Sequence, residues 1–349
     1  MLTKRAILQS AGRSAVAAGA AFFAFAAGAQ AQVPEKVVES LGAPATITTT
    51  FGPLTFKDGV PTPETAAKTY DLLDFSQALS VYNNSFRGAS ALAIVKGFEG
   101  IGAKPGDVVI FPKLMDSKSL FLTPNADTVY YLTGLDLSKG PVVVEQPPGA
   151  VGTINDMWFS WIIDIGGPGP DRGLGGKYLI VGPDYKGPLP EGGYFIGRSK
   201  TNFALYAARA YLRNNDPAPA VENIKKTMKV YPYQPGAYGT SLAQVLEGTV
   251  RIAGEPKIPE TKFIEGSGLA FNTIPPSDAS FFDMINENVQ REPATSYDIE
   301  LAGQLAAIGI VRARARGLAW SALLRWPARL WLLGIGGLFR SEEHTSELQ

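Results

Sequence analysis

The sequence predicts a mainly β protein with helical additions, an α+β chain in which a β-sandwich is followed by a small helical domain. Three observations predict it. Glycine (38) and proline (26) are abundant in the 349 residues, which calls for many turns rather than a helical bundle. Seven short apolar runs between Asp107 and Ile196 are separated by Gly, Pro, Asp and Asn clusters, the spacing of a sandwich. Helical periodicity flanks those runs on both sides.

Taken in order, residues 1–31 read as a cleavable export signal. Lys4, Arg5 and Arg13 precede a small-residue apolar run, and Ala29 and Ala31 occupy the small positions before a cleavage at Gln32. A periplasmic or secreted bacterial protein is the expectation, with no stable membrane insertion after signal cleavage. Residues 32–61 form an N-terminal extended segment, with a threonine-rich strand over 46–55 and a turn at Asp58-Gly59.

Residues 62–200 are expected to hold a helix pair and the sandwich. Thr62-Pro63-Glu64 opens a helix, since threonine accepts from free amides, proline fits the first turn and glutamate favours its positive end. Leu72, Phe75, Ala78, Leu79 and Tyr82 recur at helical steps, and Phe86 to Phe98 continues them. The strand candidates are Asp107–Phe111, Ser119–Leu122, Thr128–Leu132, Pro141–Val144, Trp158–Ile163, Lys177–Val181 and Tyr194–Ile196. A helical domain is expected over residues 201–311, with helices at Phe203–Arg213, Pro217–Met228 and Asp278–Gln290.

The end of the chain reads differently. Residues 312–339 are a composition shift typical of a frame error, and residues 340–349, RSEEHTSELQ, match the in-frame translation of a common sequencing adapter. The single histidine, His344, lies in that string, and the chain has no cysteine. Outside the adapter string there is therefore no Ser-His-Asp triad, histidine base, thiol nucleophile, or His- or Cys-ligated metal. Lys+Arg and Asp+Glu are equal at 32 each, so no basic field exists to gather nucleic acid. No phosphate-loop, dinucleotide or nucleophile-elbow motif occurs, and no cofactor and no metal are expected.

Two constellations carry chemistry. Asn125, Asp127 and Tyr130 crowd a strand entrance, where they could meet a hard cation or a sugar hydroxyl, or form an Asx turn that satisfies local amides. Trp158, Asp164, Asp171, Arg172 and Tyr178 could stack on and hydrogen-bond a small-molecule or carbohydrate ligand; otherwise Trp158 is core and Asp171-Arg172 a turn.

The strings N-A-D-T-V-Y-Y from Asn125, D-L-S-K-G-P from Asp136, G-G-K-Y-L-I-V-G-P from Gly175, I-P-P from Ile274 and V-Q-R-E-P from Val289 resemble the exported bacterial family called domain of unknown function 1254. The resemblance covers roughly Thr62 to Val311. It implies an immunoglobulin-like β-sandwich, then a small helical domain, then a jelly-roll domain of unknown function 1214 that is missing from this chain after Val311. It implies no catalytic residue. Two functions follow: a binding or assembly module of the cell envelope for a small molecule, glycan or second copy in a homo-oligomer, or a hydrolase or lyase using two of Asp127, Asp156, Asp164 and Asp171 as acid and base.

Overall fold

The computed structural model describes residues 34–42, 44–121 and 124–312. The expected export signal, the adapter string and all but Arg312 of the composition-shifted tail lie outside the described residues. The chain divides between Asp71 and Leu72 into two compact units. Helix (29%) and strand (27%) are nearly balanced, so the α+β class holds while its mainly β emphasis does not.

In the first unit, helix α1 (Glu35–Leu41) is followed by β1 (Thr46–Thr49), β2 (Gly52–Lys57) and β3 (Val60–Pro61), an antiparallel three-stranded sheet. The expected extended segment is thus a helix and a meander. Asp58 and Gly59 both adopt positive φ, as the turn between β2 and β3 requires.

Helix α2 (Pro63–Gly100) begins in the first unit and continues into the second. Thr62 Oγ accepts from the Thr65 amide at 3.3 Å, the cap the sequence predicts. The expected helix pair is one helix, because no proline or turn signal interrupts it and its interior glycines, Gly88 and Gly97, pack closely against Trp158 and Asn272. Ala89, Ala91, Leu92, Ala93, Ile94 and Val95 are all buried, so this stretch is enclosed on every side. Gly88 is small of necessity: a Cβ there would stand 2.6 Å from the Trp158 ring.

The second unit continues with β4 (Val108–Ile110), β5 (Ser119–Leu120), β6 (Thr128–Asp136), β7 (Val142–Gln146), β8 (Ala150–Asp156), β9 (Trp161–Gly166), β10 (Gly176–Val181), β11 (Phe195–Arg198) and β12 (Phe203–Tyr211). Then come α3 (Ala218–Thr227), β13 (Lys229–Pro232), α4 (Leu242–Leu246), β14 (Phe263–Glu265), β15 (Phe271–Asn272), α5 (Ser280–Arg291) and α6 (Ile299–Ala307). A six-stranded sheet runs β14-β4-β6-β12-β8-β9 and a four-stranded sheet β11-β10-β7-β13. The β10–β11 and β4–β14 pairs are parallel, which a purely antiparallel sandwich would lack.

Every expected strand overlaps an observed one; β8, β13, β14 and β15 are strands that the sequence pattern does not predict, and two expected segments differ. Phe203–Arg213 is not helical: β12 lies between β6 and β8 at the centre of the six-stranded sheet. Its alanines suggest a helix, but Ala204, Tyr206, Ala208 and Ala210 fill one core while Leu205 fills another, so burial on both faces overrides propensity. Residues 201–311 are accordingly not helical alone. The second difference is at Trp158–Ile163, where a turn precedes β9 and Phe159 takes φ 54°.

Three large cores and one smaller apolar cluster hold the described residues of the second unit. Val144, Tyr178, Ile180 and Val230 of the four-stranded sheet share one with Val129, Tyr131, Ile154, Ile165 and Tyr206 of the six-stranded sheet. In it, Gln146 Nε2 donates to Tyr131 OH at 3.2 Å and the Tyr206 hydroxyl donates to Gln146 Oε1. Burial pushes Tyr131 up to about 12, so the network is neutral at ordinary pH. The opposite face of the six-stranded sheet takes Leu92, Val95 and Phe98 of α2 against Val109, Leu132 and Leu205. Helices α2, α5 and α6 form the third core around Trp158.

Candidate functional site

The eight residues singled out in the sequence fall in three places. At the entrance to β6, Asn125 Oδ1 accepts from the Asp127 amide (3.1 Å) and the Thr128 hydroxyl (2.9 Å), while Asn125 Nδ2 donates to Tyr130 OH (3.1 Å). This is an Asx turn with its acceptor already used.

Asp164, Asp171, Arg172 and Tyr178 gather around the β9–β10 connection. Tyr178 OH donates to Asp171 Oδ1 at 2.7 Å and the Gly175 amide to Oδ2 at 3.0 Å, with Asp171 only 4% exposed. Arg172 has φ 50° and its amide donates to Gly169 O, the turn geometry expected. Burial, the bond to Asp171 and the charges of Asp171 and Asp164 push the Tyr178 phenol far above its ordinary value. Trp158 is elsewhere, in the helical core, where its Nε1 donates to Ser296 Oγ at 3.0 Å. Asp156, 1% exposed, accepts from the Trp158 and Ser160 amides at 2.8 Å each. The Asp156 and Asp171 carboxylates therefore serve turns.

A recess of the second unit lies on the outer face of the four-stranded sheet. Strand alternation puts Glu145 on that face, and the register sets Lys177 of β10 and Lys229 of β13 directly opposite it on either side. Lys177 Nζ donates to Glu145 Oε1 at 2.7 Å, Tyr231 OH donates to the same oxygen at 2.7 Å, and Lys229 Nζ stands 3.9 Å from Oε2. Burial raises the Glu145 carboxyl, but the bonds from Lys177 and Tyr231 and the two lysine charges outweigh it and hold it below its usual value. Burial and the neighbouring Glu145 push the Tyr231 phenol well up, so it stays a donor.

Val143, Leu179 and Tyr231 continue this face as a small apolar cluster, partly covered by Tyr185, Leu189, Tyr194, Tyr233 and Ile258. Beside it the segment after β13 folds back. Gly236 allows that fold: its φ is 84°, and a Cβ would meet Arg251 O at 1.9 Å. Ser241 caps α4 in a capping box with Gln244, and Gln244 Nε2 ties the helix to Leu189 O at 2.8 Å. The result is a cavity of about 630 Å³ whose lining includes Lys177, Tyr231, Tyr238, Ser241, Leu242 and Ile252. Lys177 Nζ sits 5.0 Å from the Tyr238 ring centroid, a cation–π distance. A volume of this size suits a small organic molecule.

Residues 105–232 match the family model of DUF1254, a protein of unknown function. The resemblance in the sequence is thus shown over that stretch. DUF1254 covers β4 through β13, so Glu145, Lys177 and Tyr231 lie within it, whereas Tyr238, Ser241 and Leu242 lie after it. Among solved structures, the chain is similar to the crystal structure of the VPA0106 protein from Vibrio parahaemolyticus, with 14% identity, TM-score 0.47 and coverage of 76% of this chain. The chain spans 58% of that protein's length. None of the curated proteins matches.

None of the eight residues read from the sequence lines the cavity. In the sequence Lys177 stands out only as the start of the strand Lys177–Val181 and within G-G-K-Y-L-I-V-G-P, and no motif there marks Glu145, Tyr231 or Tyr238 as site residues. A signal existed: Glu145 and Lys177 are charged residues within apolar strands, each needing a partner on its own face.

Proposed function

We propose that this protein is an exported binding module of the bacterial cell envelope that holds a small molecule or glycan in the cavity beside Lys177 and Tyr231. The observation that carries this reading is the cavity itself, a recess of about 630 Å³ joining an apolar wall to a charged floor. An immunoglobulin-like ancestry for the two packed sheets remains part of the proposal, and its parallel edge pairs are additions to that plan.

Val245 lines the cavity, and Val245→Trp fills it. Thermal unfolding of the full chain is followed with 4-phenylbutan-1-ol, 4-phenylbutyrate and maltose. At least one should stabilise the protein, by about 2.7 kcal/mol at a hundredfold excess over its dissociation constant, and Val245→Trp should abolish that gain. No stabilisation by any probe, or equal stabilisation of the variant, overturns the cavity reading.

Export rests on the charged and apolar pattern of residues 1–31. Intact-mass measurement of periplasmic protein is expected to find Gln32 at the N-terminus. A membrane-bound species retaining Met1 to Ala31 would count against export. No helix among the described residues is long and apolar enough to cross a membrane.

A further inference from the structure

We infer that the ligand of this cavity is an amphipathic monoanion, with one carboxylate seated on Lys177 and an aromatic or alkyl body against Leu242, Val245, Ile252 and Ile258. This rests on the cavity reading and names the chemical class that the lining selects. At the charged floor two lysines face one glutamate, so one positive charge is in surplus. Lys177 lines the cavity and Lys229 does not, so the cavity meets this net-positive cluster through Lys177, although Lys177 is the lysine bonded to Glu145 at 2.7 Å and Lys229 stands off at 3.9 Å.

The neighbouring groups narrow the class. Tyr231 already gives its hydroxyl hydrogen to Glu145. Ser241 Oγ accepts from the Gln244 amide, which leaves its own hydrogen for a ligand oxygen. Glu255 shares the lining and disfavours a build-up of negative charge, and the lining contains no arginine to grip a phosphate in bidentate fashion. One carboxylate fits this set; a dianion does not. The opposite wall is aliphatic, and Leu242 and Ile252 are 71% and 75% exposed, apolar surface that a ligand's body would take out of water.

The test keeps the body constant and changes the head. Calorimetric titration of the full chain compares 4-phenylbutyrate, 4-phenylbutan-1-ol and 4-phenylbutylamine, with maltose as the glycan probe. The carboxylate should bind about tenfold or more tightly than the alcohol, the gain from one charged hydrogen bond. Lys177→Met should remove that preference while alcohol binding persists, and Lys177→Arg should keep it. Should Lys177→Met fail to fold, the native chain decides: potassium chloride should weaken carboxylate binding and spare the alcohol. Binding of the alcohol, the amine or maltose equal to or tighter than that of the carboxylate, lost in Val245→Trp, overturns the monoanion and leaves the cavity reading standing. Absence of binding by all four overturns both.

Discussion

Trp158→Ala is expected to lower the unfolding free energy by about 3 to 5 kcal/mol, a large part of the total for a domain of ordinary stability. The indole is 1% exposed, packs on the Tyr297 ring at 4.9 Å, and hydrogen-bonds Ser296. Alanine leaves a cavity bounded by three helices, and the rigid α2 backbone at Gly88 cannot move in to fill it. Gly88→Ala approaches the same contact from the other side and should cost about 1 to 3 kcal/mol by overpacking. In the Trp158→Ala background the added methyl should cost much less, since the two changes share one space. Denaturant unfolding of the two single variants and the double variant measures this. A Trp158→Ala protein of unchanged midpoint would mean that the ring is not core.

Glu292→Gln is expected to flatten the pH dependence of stability between about pH 4.5 and pH 7. Glu292 is 1% exposed at the C-cap of α5 and accepts from the Asn202 and Phe203 amides. Burial raises its carboxyl from 4.5 to about 7; those amides and the Arg291 charge oppose the shift, and the Asp156 carboxylate adds to it. The folded chain therefore holds this proton more tightly than the unfolded chain. Its stabilising effect is complete below about pH 4.5 and is lost as the pH rises through about 7, a change of about 3 kcal/mol. The amide keeps an acceptor for Asn202 and carries no charge, so at pH 8 the variant should be the more stable protein. Equal slopes for the two proteins between pH 5 and pH 8 would show that Glu292 does not hold this proton.

Local signals carried much of the fold. Thr62-Pro63-Glu64 marks a helix start because its side chains act within one turn, and Asn125 makes its Asx turn within three residues. The runs at Val108, Thr128 and Lys177 are strands because apolar residues end at turn formers. What stayed hidden depends on partners far along the chain. The alanines of β12 become strand only between β6 and β8, and α2 stays unbroken because the sheet and α5 enclose it. The cavity is the extreme case: Glu145, Lys177, Tyr231 and Tyr238 come from four segments, and only the β7, β10 and β13 register brings the first three together.

The central place of β12 also sets the order in which this molecule can be assembled. As the chain leaves the ribosome, β6 and β8 emerge long before the strand that joins them, and each presents an open edge until Tyr211 is available. β14 closes the sheet on β4 across a still longer stretch of chain. Such distant pairings slow folding and leave nascent edges open to foreign strands. A nascent chain halted before β12 would hold two unmated half-sheets, a natural substrate for chaperones.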